Sequence, residues 1–156
     1  MKTTIIEANS IAHIDMAREL FLAYEKELNV DLCFQGFADE LHTLPGKYAP
    51  PDGALLLAIE QTQAIGCVAM RRFSVTDAEM KRLFVRPHAR HFGAGRQLAV
   101  EIIERARAAG YRRIVLDTLD TMSTARALYE SLGFVATDAY YANPIPGALY
   151  FAKELA

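Results

Sequence analysis

Between residues 81 and 100 the chain carries Lys81, Arg82, Arg86, Arg90 and Arg96, with His88 and His91 among them and no acidic residue. In a protein of formal net charge −2, such a run is either a solvated face or the holder of an anionic ligand. Its surroundings favour the ligand. Leu83-Phe84-Val85 reads as the end of a strand and Gly95 as the opening of a helix, with Arg90-His91-Phe92-Gly93-Ala94-Gly95 between them. The first turn of a helix presents unpaired backbone N–H groups at the positive end of its dipole. Glycines at 93 and 95 let that backbone approach an anion without a Cβ in the way, and the arginines add charge. Strand, glycine turn and helix together make a pyrophosphate cradle.

Two other phosphate loops are excluded. A P-loop requires a lysine that does not follow Gly95, and a dinucleotide fingerprint requires a third glycine where Leu98 stands. The dinucleotide turn also belongs to the first strand–helix unit, whereas this turn lies past mid-chain.

The elements that must position this turn are readable along the chain. Thr3–Glu7 is a short β-rich stretch, and Asn9 or Ser10 can cap a helix whose apolar face is Ile11, Ile14, Ala17, Phe21, Tyr24 and Leu28. A second helical pattern, Phe34, Phe37, Leu41 and Leu44, stops at Pro45-Gly46. After the turn Pro50-Pro51-Asp52-Gly53 come apolar runs at Ala54–Glu60 and 64–73, an antiparallel hairpin to which 76–85 adds a third strand. Leu98, Ile102, Ala106 and Ala109 mark a helix closed by Gly110. Residues 113–118 hold an Ile-Val-Leu run suited to a strand buried on both faces. A helix over 122–132 follows, then a proline-containing loop at 140–147 and a last strand over 148–155. No repeat or linker divides the 156 residues, so the expectation is one mixed α/β domain over 1–156.

Bulk properties set the remaining bounds. With 52% hydrophobic and 23% charged residues the chain is globular. No apolar run reaches bilayer length, and the N-terminus lacks a secretory apolar stretch. The acidic net charge argues against a general nucleic-acid binder. Cys33 and Cys67 sit among apolar neighbours without metal-ligand spacing, and His13, His42 and His88 have no companions, so no metal site is expected. Buried reduced thiols suit the cytoplasm.

Leu83-Phe84-Val85-Arg86-Pro87 followed by Arg90-x-x-Gly93-x-Gly95 resembles the acetyl-CoA signature of the GNAT family of N-acetyltransferases, Arg/Gln-x-x-Gly-x-Gly/Ala after a strand. Ala125-Arg126-Ala127-Leu128-Tyr129-Glu130-Ser131-Leu132-Gly133-Phe134 is similar to the family's second hallmark, Ala-x-x-Leu-Tyr-x-x-x-Gly-Phe. The tail, Tyr140-Tyr141-Ala142-Asn143-Pro144-Ile145-Pro146-Gly147-Ala148, looks like that of a bacterial subgroup whose members mostly lack an assigned substrate. One departure is Met122, where members often carry an Asn, which removes any pantetheine contact made by that Asn.

The resemblance implies a single-domain α/β (α+β) acyl-CoA N-acyltransferase fold, with a mixed central sheet and helices on both faces. Its fourth and fifth strands run parallel and splay at their C-terminal ends, and the pantetheine arm fills the gap like a short extra strand. Here those strands would be 80–85 and 113–118, with Phe84 and Val85 supplying backbone contacts. The amides of His91, Gly93, Ala94, Gly95 and Arg96 would hold the pyrophosphate, and Arg86, Arg90, Arg96 and Arg126 would add to the anion field. Tyr129 would direct its hydroxyl at the coenzyme sulfur, to protonate or hydrogen-bond the departing thiolate; packing beside Leu128 and Phe134 is its plain alternative. Glu79 would remove the amine's proton, commonly through water, and otherwise is a solvent-facing strand glutamate. An alkyl amine of pKa about 10 needs such a base at neutral pH.

Arg71 and Arg72 close the third strand, where an acceptor carboxylate could be bound in bidentate fashion. Adjacent strand residues face opposite sides, so at most one of them serves. Tyr140, Tyr141 and Asn143 lie on the loop that caps the acceptor side of this fold, although tyrosines there also suit a dimer interface. The expected activity is transfer of an acetyl group from acetyl-CoA to a primary amine of a small molecule or peptide, with no metal, nucleic acid or membrane partner. Homodimers through the C-terminal strands occur in many members. The alternative is a non-catalytic acyl-CoA sensor of the same fold.

Overall fold

The computed structural model describes residues 2–155, apart from the side chain of Phe34. Its strands are β1 (Thr3–Glu7), β2 (Ala54–Glu60), β3 (Gln63–Arg72), β4 (Asp77–Val85), β5 (Arg113–Leu119), β6 (Val135–Ala136) and β7 (Ala148–Glu154). Its helices are α1 (Ile11–Leu28), α2 (Phe37–Thr43), α3 (Ala94–Ala108) and α4 (Ser123–Ser131). The strands form one sheet in the order β1-β2-β3-β4-β5-β7-β6, antiparallel except for the β4–β5 pair. None of the described helices is long and apolar enough to cross a membrane.

Both faces of the sheet are covered, and β2 shows why its residues demand this. Residues 54–58 are all buried, and with side chains alternating across the pleat they feed two separate cores. Leu55 and Leu57 pack with Ala17, Leu20 and Phe21 of α1 and with Tyr48. Leu56 and Ala58 pack with Leu98, Ala99, Ile102 and Ala106 of α3. Helix α1 starts at Ser10, whose hydroxyl accepts the His13 N–H at 3.1 Å, and ends at Asn29 in the left-handed region.

The second helical pattern does not run through from Phe34. Gly36, at φ +69°, separates a 3-10 turn at Cys33–Gln35 from α2. That break leaves Cys33 exposed, against the expectation of two buried thiols; Cys67, at the centre of β3, is buried and its Sγ lies 3.2 Å from the Arg82 carbonyl.

Two irregularities shape the middle of the sheet. Strands β4 and β5 pair over only three positions, Asp77↔Arg113, Ala78↔Ile114 and Glu79↔Val115, and then part. This is the splay that the resemblance implies. On its other edge β4 carries a bulge: Cys67 faces Phe84 but Ala69 faces Lys81, so Arg82 and Leu83 together oppose Val68. Arg82 sits at φ +61° within the bulge. The extra residue puts Lys81 and Arg82 on the same side of the sheet, bends the strand and helps hold its C-terminal half away from β5.

Candidate active site

The parting strands open a cleft lined from β4 by Met80, Lys81, Arg82 and Leu83, and from β5 by Leu116, Asp117, Thr118 and Leu119. Tyr24 and Leu28 of α1, Tyr129 of α4, Leu32, Gln35, Met122, Asn143 and Ile145 complete its walls. Past Glu79, the β5-facing edge of β4 has no strand partner among the described residues. Backbone polar groups left so must find partners in a ligand or water.

At the end of β4 the chain turns through residues 86–93 into α3. Gly93 is the residue preceding this helix, at φ +89°, and His91 is also left-handed at φ +73°. The first amide of the helix to find a backbone acceptor is that of Gln97, on the Gly93 carbonyl at 3.0 Å. Among the described residues, the amides of 91–96 find none. A row of open N–H groups at a helix start, with Ala94 buried beneath it, fits an anionic ligand such as a pyrophosphate.

The arginines near the turn are more committed than their spacing suggests. Arg90 donates through Nε to the Val85 carbonyl at 2.8 Å and through Nη2 to both Glu27 oxygens at 2.6 and 2.7 Å. It therefore braces the turn against α1, and the Val85 carbonyl is already taken. Phe84 pairs with Cys67 and Val85 with Gly66 on the β3 side. Arg86 lies along the Ala64 carbonyl at 3.4 Å, Arg96 donates to Ser131 Oγ at 2.6 Å and Arg126 to the Asp120 carbonyl at 2.9 Å. Of these, Arg96 is solvent-exposed on the first turn of α3, where its guanidinium can reorient toward a phosphate.

Tyr129 is buried, packs edge-on against Phe134 with ring centroids 5.7 Å apart, and lines the cleft. The packing expected of it is present, and its hydroxyl has no hydrogen-bond partner among the described residues. Burial pushes its pKa above the ordinary tyrosine value, so it stays protonated. Tyr24, on the facing helix, is likewise pushed up to about 12 by burial. Met122, at the start of α4, also borders the cleft and its sulfur lies 3.6 Å from Thr118 Oγ1.

Glu79 stands where the strands part, only 2% exposed. Its Oε1 accepts from Arg71 Nε at 2.9 Å, its Oε2 accepts from the Tyr140 hydroxyl at 2.6 Å, and Lys81 Nζ is 3.7 Å from Oε2. Arg71 and Tyr140 are thus drawn together by Glu79, and Phe73 stacks edge-on to Tyr140 at 4.9 Å. Arg72 points elsewhere, 3.9 Å from Asp52 at an exposed edge, as strand alternation requires of one of the two arginines.

The carboxylate that lines the cleft is Asp117, which sequence reasoning missed. Its Oδ2 accepts from Asn143 Nδ2 at 2.8 Å and from the Tyr141 hydroxyl, while Oδ1 has no partner among the described residues. Gln35 Nε2 reaches the Tyr141 hydroxyl at 3.3 Å. The available signal was a charged residue directly after the apolar run Ile114-Val115-Leu116. Behind this wall Arg82 and Glu40, both buried, form a two-bond pair at 2.8 and 3.0 Å. Burial alone would raise Glu40, but the Arg82 guanidinium outweighs it and holds the carboxyl below its usual range.

Comparison with known proteins agrees with this architecture. Residues 14–134 match the acetyltransferase (GNAT) family. An uncharacterized N-acetyltransferase of Schizosaccharomyces pombe is 44% identical over 91% of this chain and 88% of its own. A GNAT acetyltransferase from Staphylococcus aureus Mu50 superposes with a TM-score of 0.83 at 22% identity, covering 99% of this chain and 100% of that one. Salmonella typhimurium yncA, solved with acetyl-CoA, gives 0.71 at 18% identity over 100% and 95% of the two chains. Glycine turn, splayed strands and the Tyr129 helix thus have one explanation: the chain is an acyltransferase belonging to the GNAT acetyltransferase family.

Proposed function

We propose that the protein transfers an acetyl group from acetyl-CoA to a primary amine by direct attack. The observation that carries this reading is that one strand, β4, supplies a wall of the cleft and leads at its end into the open amide row at residues 91–96, which suits a pyrophosphate followed by a pantetheine arm. The acetyl-CoA in the Salmonella structure supports the same donor.

When bound, acetyl-CoA supplies an activated thioester. The amides of His91, Gly93, Ala94, Gly95 and Arg96 hold its pyrophosphate, and the unpaired edge of β4 holds the arm. The amine arrives as an ammonium and must lose a proton before its nitrogen attacks. Asp117 accepts that proton, because its Oδ1 is open to the cleft and its Oδ2 is fixed by Tyr141 and Asn143. Glu79, with both oxygens occupied, orients Tyr140 and Lys81 around the acceptor.

As the N–C bond forms and the C–S bond breaks, charge collects on sulfur. Tyr129 stabilises it by donating a hydrogen bond. A thiol titrates near 8.5, well below this buried tyrosine, so the phenol keeps its proton while polarising the leaving group. The test is release of free thiol from acetyl-CoA in the presence of a panel of amines, with the acetylated product identified by mass. Thiol release that depends on an amine supports the reading. Tight coenzyme binding without turnover across the panel would favour the sensor alternative.

A further inference from the structure

The cleft contains unmet hydrogen-bonding capacity of two opposite kinds, on two sides. On the β4 side, the Lys81 side chain is 7% exposed, yet its ammonium makes no hydrogen bond among the described residues. Its ion-pair partner, Glu79 Oε2, is 3.7 Å away and already receives the Tyr140 hydroxyl. Neighbouring Arg82 is committed to Glu40, as is Lys47 at 3.7 Å. An ammonium carries three donors, and those of Lys81 face the cleft with an ion pair to Glu79 but no protein hydrogen bond among the described residues. Burial pulls Lys81 below the usual lysine range and Glu79 draws it back, so a second anionic oxygen would relieve it.

On the opposite side the deficit is in donors. Asp117 lies two residues past the last β4–β5 pair, as Lys81 does on its own strand, so the two occupy equivalent positions on the same face. Asp117 Oδ1 receives nothing among the described residues, and Gln35 Oε1 is buried without a partner. Both residues line the cleft.

We propose that the acceptor is a small zwitterion of the amino-acid class, with its carboxylate on Lys81 and its amino group on Asp117 and Gln35. This rests on the acetyl-transfer reading above. A plain alkylamine would satisfy Asp117 and Gln35 but leave Lys81 with no hydrogen-bond acceptor beyond its ion pair to Glu79. A phosphate would satisfy Lys81 but bring a second negative charge close to Glu79 and Asp117. A carboxylate brings the single charge the site lacks.

The test uses the twenty amino acids as acceptors and, for each one acetylated, its carboxamide and its decarboxylated amine. At least one amino acid is expected to exceed its carboxamide by tenfold or more in kcat/KM. In Lys81→Met that ratio is expected to fall toward one, while calorimetric acetyl-CoA affinity and the melting temperature show the fold intact; Lys81→Gln serves if the methionine variant does not fold. Carboxamides or simple amines that match the acids, or a ratio unchanged by either substitution, would overturn the proposal. Acetylation of polyamines or peptides alone would overturn it while leaving acetyl transfer standing. Failure to bind acetyl-CoA at all would remove both.

Discussion

The two halves of the cleft are built from different materials. The turn at residues 86–96 offers main-chain amides at a helix start, and its arginines are largely spent on bracing. The opposite face offers side chains in two clusters, Glu79 with Lys81 and Tyr140, and Asp117 with Tyr141 and Asn143, joined into a wall by the Tyr140–Tyr141 ring contact. On the proposed reading, the backbone cradle recognises what every acyl-CoA shares, because it would read phosphate charge and an extended arm. A side-chain wall can be rewritten residue by residue, which is why the choice of acceptor is proposed to lie there. The Arg82 bulge joins the two halves, since it turns the Lys81 side of β4 toward the wall while its outer edge stays open.

If this division is right, the two halves should fail separately. The largest effect is expected from Asp117→Asn, which keeps the contacts to Tyr141 and Asn143 within reach but removes the proton acceptor. Steady-state assay should show kcat/KM reduced by about 10²–10⁴-fold. The support behind the wall is broken by Arg82→Met, which leaves Glu40 buried with only Lys47 at 3.7 Å as an ion-pair partner among the described residues. Chemical denaturation should record a loss of about 3–5 kcal/mol. In the wild type, the folded-state pKa of Glu40 is depressed, so this pair contributes fully above the ordinary carboxylate range. The contribution is lost as pH falls through the depressed value, and acid denaturation followed by circular dichroism should show that component missing in the variant.

Tyr129→Phe removes one hydrogen bond to the leaving sulfur without disturbing the packing on Phe134. Turnover should fall about tenfold to a hundredfold with coenzyme affinity unchanged; full turnover would dismiss the role. The smallest effect is expected from Gly93→Val, which forces a β-branched residue to φ +89° and puts a side chain before the amide row. Strain of about 1–3 kcal/mol should lower the melting temperature. The side chain, set in the open space before the amides, should weaken coenzyme affinity about tenfold, roughly 1.4 kcal/mol.

The same division explains what the sequence could tell. The cradle is local: strand, glycines and helix lie within about a dozen residues, and their physics follows from backbone geometry and the helix dipole. Tyr129 was legible for a similar reason, on a helix with a recognisable pattern. The splay of β4 from β5 came from resemblance, since no local feature reports where two parallel strands part. The acceptor wall depends on contacts across 61 residues for Tyr140 and Glu79, 42 for Arg82 and Glu40, and 106 for Gln35 and Tyr141.

Such contacts also redirect residues whose composition alone is misleading. Arg90 sits in the expected anion-binding turn, yet Glu27 of α1 claims it. Cys33 lies between Leu32 and Phe34, yet the 3-10 turn ending at Gly36 faces it outward. Lys81 and Arg82 read as part of one basic run with Arg90 and Arg96, but the bulge assigns them to the other half of the cleft.

Calorimetric titration of acetyl-CoA into the wild type, Asp117→Asn and Gly93→Val, in one buffer, tests the division most directly. The account predicts binding by the wild type, the same affinity within about threefold in Asp117→Asn, and weakening of about tenfold in Gly93→Val. Absence of binding by the wild type at millimolar coenzyme, or an affinity lost in Asp117→Asn and kept in Gly93→Val, would contradict it.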